Sequence, residues 1–331
     1  MSQRLPESAI VLAPLAGGPA TPELAAAVTD AGGLGFLAAG YLTPEAFREH
    51  VRRGRALTPG PLGANLFRLS EEPVHAEAIA AYAAELEPDA SRLGAELGVP
   101  RYDDDHYAAK LDVVVEERVE VVSFTFGCPS PDDVARLQET GSEVWVTVTS
   151  AAEAADAAAA GADALVAQGA EAGGHRGSWR DDAVDLPLLA LLAEVREACS
   201  TTVVATGGIG DRAAVLAALD AGASAVQVGT AFLLCPEAGT SDPHRAMLER
   251  GGPTAITRAF TGRRARGIVN EFMRDHPHAP SAYPHVHHLT APLRAAARAA
   301  GDADRINLWA GEAFAAARPA PAAEVVAALR P

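Results

Sequence analysis

Eight short apolar runs, separated by stretches of helical length, limit what this chain can fold into more than any other feature. They span residues 10–13, 34–38, 62–65, 119–124, 144–148, 164–167, 202–205 and 225–228. Runs this short, bounded by glycine and apolar without alternation, suit strands covered on both faces better than amphipathic helices. The segments between them include 22–30, 44–53, 74–87, 131–140, 151–160, 187–198 and 211–219, several opened by Thr-Pro or Ser-Pro pairs of the kind that start helices. Strand and helix in alternation predict an α/β chain with a parallel sheet and right-handed crossovers, and eight strands are enough to close it into a (β/α)8 barrel.

A length of 331 residues fits one barrel with additions. The rhythm places the barrel in residues 1–232. It breaks at 233–295, read as a smaller, mostly helical insertion near the barrel mouth, and leaves 296–331 as a C-terminal segment packing back on the barrel. Residues 70–110, long and charged, are expected to hold two helices.

A formal net charge of −16 disfavours nonspecific binding to nucleic acid or to an anionic membrane, both of which need basic surface. An anionic small substrate would need a local positive site. The apolar run at 9–16 is too short for a signal-peptide core, and charged residues or glycine interrupt every candidate membrane span. The expectation is a cytoplasmic protein, monomer or homodimer. Cys128, Cys199 and Cys235 are widely spaced and odd in number, which indicates neither a disulfide framework nor a zinc site. Cys128 reads as a buried thiol or a pocket-lining one. His276, His278, His285, His287 and His288 crowd one segment, but Pro277, Pro280 and Pro284 break the helical spacing a shared metal would favour, so no metal is expected.

Active sites of β/α barrels lie at the C-terminal ends of the strands. There the sequence supplies Pro14, Leu15 and Ala16 after the first strand and Asn65 at the end of the third. Gln168, Gly173 and His175 follow the sixth, Gly208 the seventh, and Gln227, Val228, Gly229 and Thr230 close the eighth. Glycines at the last two strand ends leave backbone N–H groups open to a phosphate. Asn65 offers donors and an acceptor to a flat heterocycle, or caps a loop. His175 is an imidazole able to move a proton near neutral pH, or an incidental histidine in a glycine-rich turn. Arg176 beside it is a substrate-attracting cation or a solvated surface residue.

The segments APLAGG (13–18), GANLF (63–67), FTFGCP (124–129), AQGAEAGGHRG (167–177), ATGGIGD (205–211) and QVGTAFL (227–233), followed by TGRRARGIVNEF (261–272), YPHVHHLTAPLR (283–294) and LWAGE (308–312), resemble the nitronate monooxygenase family in order along nearly the whole chain. That family, formerly called 2-nitropropane dioxygenases, uses flavin mononucleotide on a TIM barrel. The resemblance implies an oxidoreductase that oxidises an alkyl nitronate, and in some members a neutral nitroalkane, with dioxygen to a carbonyl compound and nitrite. It implies that Pro14, Leu15, Ala16, Asn65, Gln168, Gly173, Gly208, Gln227, Val228, Gly229 and Thr230 hold the flavin, and that His175 is the catalytic base or substrate-orienting residue. Two departures are Leu15, where many relatives carry methionine, and Glu312, where glutamine is common. Flavin-dependent enoyl-acyl carrier protein reductases share the glycine and histidine pattern of the sixth strand but place an acid at the position of Gln168; they are the alternative enzyme class. A noncatalytic flavin-binding protein with a structural His175 is the alternative outside enzymes.

Overall fold

Parallel strands β1 (Ile10–Leu12), β2 (Gly35–Ala38), β3 (Leu62–Phe67), β4 (Val121–Thr125), β5 (Glu143–Val148), β6 (Ala164–Gln168), β8 (Thr202–Thr206) and β9 (Ala225–Val228) form one sheet in the order β1-β9-β8-β6-β5-β4-β3-β2. The computed structural model that shows this describes residues 4–181 and 183–331. A parallel bridge between Val11 and Leu34 joins the first and last strands, with Leu12 N–H donating to the Leu34 carbonyl (2.9 Å) and Leu34 N–H to that of Ile10 (3.0 Å). The sheet thus closes into the eight-stranded barrel that the apolar runs predict, with each run inside or overlapping a strand.

Helices α1 (Pro22–Asp30), α2 (Pro44–Leu57), α3 (Ala76–Leu93), α4 (Tyr107–Glu116), α5 (Pro131–Glu139), α6 (Ala151–Ala159), α7 (Leu188–Ala198) and α8 (Arg212–Asp220) are the crossovers. Thr21, Thr43 and Ser130 cap α1, α2 and α5, each accepting a hydrogen bond from the backbone N–H three residues on, with proline at the first helical position.

Alternation along the strands explains how the barrel is filled. Ile10, Leu37, Leu66, Val122, Val146, Leu165, Val203 and Val226 pack outward with the helices. Val11, Phe36, Val121, Trp145, Val166, Val204 and Ala225 form a separate cluster within the strands, an apolar plug in the barrel interior. Two to four residues further along on the same inward parity the chemistry turns polar: Asn65, Ser123, Thr125, Thr147, Gln168, Thr206 and Gln227. Below them Gly63 lacks a side chain because a Cβ there would run into the Phe36 ring.

The additions differ from expectation in two places. Residues 70–110 hold α3 and only the start of α4; between the helices the chain is irregular, with Gly98 N–H bonded to the Leu289 carbonyl (2.8 Å). The 233–295 segment has helices α9 (Asp242–Arg250), α10 (Glu271–Asp275) and α11 (His285–Ala299), but also a hairpin, β10 (Thr254–Thr257) with β11 (Ala265–Ile268). β11 pairs antiparallel with β7 (Gly174–His175), a two-residue strand outside the barrel. The mostly helical reading missed this pairing because its partner is the glycine-rich loop after β6, far away in sequence. The C-terminal segment runs past the mouth at 307–313 and ends in α12 (Ala322–Leu329), whose Val325, Val326 and Leu329 join the helix-side core.

Candidate active site

The polar inward ring roofs the apolar plug and floors a cavity of about 310 Å³ at the C-terminal ends of the strands. Asn65, Thr125, Thr147, Gln168, Thr206 and Gln227 all line it. The ring is internally bonded. Asn65 Nδ2 donates to Ser123 Oγ (2.9 Å) and Thr125 Oγ1 (3.0 Å), and Thr125 Oγ1 lies 3.3 Å from Thr147 Oγ1. Gln227 is the exception: its Nε2 is buried with no hydrogen-bond partner among the described residues. A buried amide left this way costs about 1–3 kcal/mol, so it points to a missing acceptor in the cavity.

Pro14, Leu15, Ala16, Gly173, Gly208, Val228, Gly229 and Thr230 also line the cavity, so every residue expected to hold a cofactor reaches it. They do so in different ways. Val228 packs its side chain into the helix-side core and offers only backbone. Gly208 has φ +69° and Gly207 φ +113°, a left-handed turn few other residues adopt. The N–H groups of Gly173, Gly208 and Gly229 donate no hydrogen bond among the described residues. At the start of α8, Asp211 accepts from Ala214 N–H. Gly173 has a packing reason as well: a Cβ there would fall into the backbone of Ala310 and Gly311.

Gln168 holds the loop after β6 in shape. Its Nε2 donates to the His175 carbonyl (3.2 Å) and its Oε1 accepts from Gly177 N–H (2.8 Å). β11 fixes the other side of that loop, with Ala265 opposite His175 and Arg176 N–H bonded to the Arg264 carbonyl (2.8 Å). The His175 ring therefore turns into the cavity, ringed by Phe126, Tyr283 and Trp309 at centroid distances of 5.9, 5.7 and 5.5 Å. Its Nε2 lies 2.9 Å from Thr261 Oγ1. Burial pushes its pKa down to about 3, helped by the Arg263 and Arg294 cations and opposed by Asp181. The imidazole is therefore neutral at physiological pH.

The nitronate monooxygenase family model matches residues 1–331. A nitronate monooxygenase of Paraburkholderia phytofirmans is 41% identical, covering 97% of this chain and 90% of its own length, and one of Pseudomonas aeruginosa is 41% identical over 97% and 94%. The chain belongs to the nitronate monooxygenase family. It is accordingly an oxidoreductase. A crystal structure of nitroalkane oxidase from Streptomyces ansochromogenes is 49% identical and superposes with a TM-score of 0.95 over 98% of this chain and 95% of that one. FabK from Thermotoga maritima shares the barrel at 25% identity and a TM-score of 0.75, over 98% and 92%.

One reading of a neighbouring residue in this nitronate monooxygenase family member needs correction. Arg176 is neither solvated nor a substrate-attracting group: it is 1% exposed, with Nε on Asp185 (2.9 Å) and its other nitrogens on the carbonyls of Gly169 (2.7 Å) and Gln168 (3.1 Å). Strand alternation sends it away from His175, where it braces the end of β6. Cys128 is half-buried and packs against the helix-side core, where burial pushes its thiol up to about 11. The five clustered histidines serve separate ends. His276 bridges Glu85 (2.5 Å) and Asp89 (3.1 Å), and His287 stacks on Tyr41 at 4.3 Å. Among the described residues no three His, Cys, Asp or Glu side chains are arranged to hold a metal.

Sequence reasoning did not single out Tyr41, Thr125, Phe126, Thr147, Thr206, His244 or Trp309 as site residues, although all line the cavity. Thr125, Thr147 and Thr206 could have been found from strand parity, lying four, two and two residues beyond the apolar interior positions Val121, Trp145 and Val204. Tyr41, His244 and Trp309 come from loops and additions whose placement only the tertiary fold decides.

Proposed function

We propose that the chain binds flavin mononucleotide across the barrel mouth and oxidises alkyl nitronates with dioxygen to a carbonyl compound and nitrite, accepting neutral nitroalkanes after removal of the α-proton. The reading is carried by one arrangement: the neutral His175 imidazole, collared by aromatic rings, and a polar ring that includes the unpartnered Gln227 amide line the same cavity. The names of the relatives, nitronate monooxygenase and nitroalkane oxidase, support it.

The residues present fit the cofactor. The buried, unpartnered Gln227 Nε2 would donate to an acceptor on the ring system or its side chain, beside Asn65 and Gln168, with the backbone of Pro14, Leu15 and Ala16 along the heterocycle. The free N–H groups of Gly173, Gly208 and Gly229, with Val228 and Thr230, would meet the phosphate. When bound, the flavin supplies the electron transfer and the dioxygen chemistry.

The protein supplies proton handling and placement. With one nitrogen of His175 bonded to Thr261, the other is left for the substrate. A neutral imidazole accepts the α-proton of a nitroalkane. The nearby cations that lower its basicity also favour the anion that deprotonation leaves, so their two effects oppose within one site. With a nitronate already formed, the same ring orients it. Phe126, Tyr283 and Trp309 around the ring exclude water from the exchange. Free Cys128, Cys199 and Cys235 agree with a reducing, cytoplasmic setting.

The test is a visible spectrum of the purified protein supplemented with flavin mononucleotide, followed by a nitrite assay in air on a panel of alkyl nitronates. A bound flavin spectrum and nitrite release are expected. Bound flavin without nitrite on any nitronate overturns the reaction; no flavin binding overturns the whole reading.

A further inference from the structure

A guanidinium group keeps its charge under any physiological condition, so burying one without a carboxylate is costly and uncommon. Two such groups flank His175. Arg263 is 5% exposed; its Nε donates to the Arg176 carbonyl (3.3 Å), another nitrogen to the Ser178 carbonyl, and its Cζ sits 4.2 Å from the centre of the Phe126 ring. Arg294 is 8% exposed and donates to Thr290 Oγ1 (3.0 Å), the His287 carbonyl (3.0 Å) and Asn307 Oδ1 (3.4 Å). Every one of these partners is neutral. Among the described residues no carboxylate lies within 4.0 Å of either arginine.

Neighbouring arginines are treated differently. Arg258 pairs with Asp181 (2.7 Å), and Arg176 and Arg264 both pair with Asp185. Asp181, the carboxylate acting electrostatically on Arg263, is already bound by Arg258, Ser281 and the Arg264 N–H. Each unpaired arginine contacts a residue that lines the cavity: Arg263 the Phe126 ring, and Arg294 the Asn307 side chain. A chain with a formal net charge of −16 thus sets two buried arginines without a carboxylate partner against residues of one cavity, which Arg298 also lines.

We propose that Arg263 and Arg294 are specificity-determining residues: their unpaired charges behind the cavity wall select a small monoanion, so the site takes an alkyl nitronate in preference to the neutral nitroalkane of the same shape. This rests on the function proposed above. The lowered pKa values of His175 and of Arg294, the latter to about 10, agree with a site of crowded positive charge, and Arg294 stays charged at neutral pH.

The experiment is calorimetric titration of the flavin-supplemented protein with two probes, inorganic nitrite as the monoanion and nitromethane at a pH where it is neutral. Wild type should bind nitrite at least tenfold more tightly than nitromethane, the roughly tenfold scale of a unit charge several Å away in a partly buried site. Arg294→Gln should weaken nitrite about tenfold and nitromethane less than about twofold, Arg294→Lys should restore nitrite binding, and flavin affinity should hold throughout. Equal affinity for both probes in wild type overturns the proposal, and that arm needs no variant to fold. So does equal weakening of both probes in Arg294→Gln, or loss of flavin, which would make the charge a cofactor counter-ion. Because binding is read without turnover, absence of nitrite production from nitronates would instead indict the proposed reaction.

Discussion

Gln227 shows how a single side chain can report on a missing partner. Strand parity turns it inward, its Nε2 is buried without an acceptor among the described residues, and the residue lines the cavity. Replacing it by leucine keeps the volume and removes the donor. Gln227→Leu should therefore fold as wild type and bind flavin mononucleotide roughly tenfold more weakly, the scale of one net hydrogen bond of about 1–1.5 kcal/mol; a fluorescence titration of flavin reads this, and unchanged affinity would mean the amide meets no part of the cofactor. Asn65 and Gln168 are less informative, because their amides are already committed to Ser123 and Thr125 and to the 175–177 loop. The sequence had named all three as equals. Only the hydrogen-bond partners separate a residue that waits for a ligand from residues that shape the site.

The loop after β6 is the element on which the site turns. It is held by Gln168 beneath, by β11 alongside and by the 310–311 backbone at Gly173. The last contact gives a direct test. Gly173→Ala places a methyl group in the backbone of Ala310 and Gly311, so it should cost about 1–3 kcal/mol, the range for overpacking, and move Trp309 away from His175. Urea denaturation and the near-ultraviolet signal of tryptophan should both change; a variant as stable as wild type would show that the C-terminal segment yields freely. The eight barrel strands were legible because each is a local apolar run between glycine and a helix cap. The hairpin β10 and β11 was not: its residues are half polar, and what makes them a sheet is a two-residue partner about ninety positions upstream. His175 could be picked out, but its bond to Thr261 and its aromatic collar come from that distant pairing.

At the scale of the whole molecule, burial leaves several histidines neutral in the folded state. His175, His244 and His287 are pushed down to about 3, 4 and 2. Their unfolded values lie near 6.5. Between pH 6.5 and about 4 the unfolded chain therefore binds protons that the folded one refuses, and stability falls on acidification through that window by up to about 1.4 kcal/mol per pH unit for each group. The urea midpoint should be lower at pH 5 than at pH 7, and equal midpoints would contradict the burial of these rings. The same burial underlies the account of catalysis, in which His175 is the neutral imidazole that meets the substrate. The most direct measurement is aerobic nitrite release by flavin-loaded His175→Asn, with a neutral nitroalkane and with its nitronate. Loss of an acid–base group should slow the nitroalkane by roughly 10²–10⁴-fold and the nitronate far less. Equal losses on both, or none on either, would contradict it.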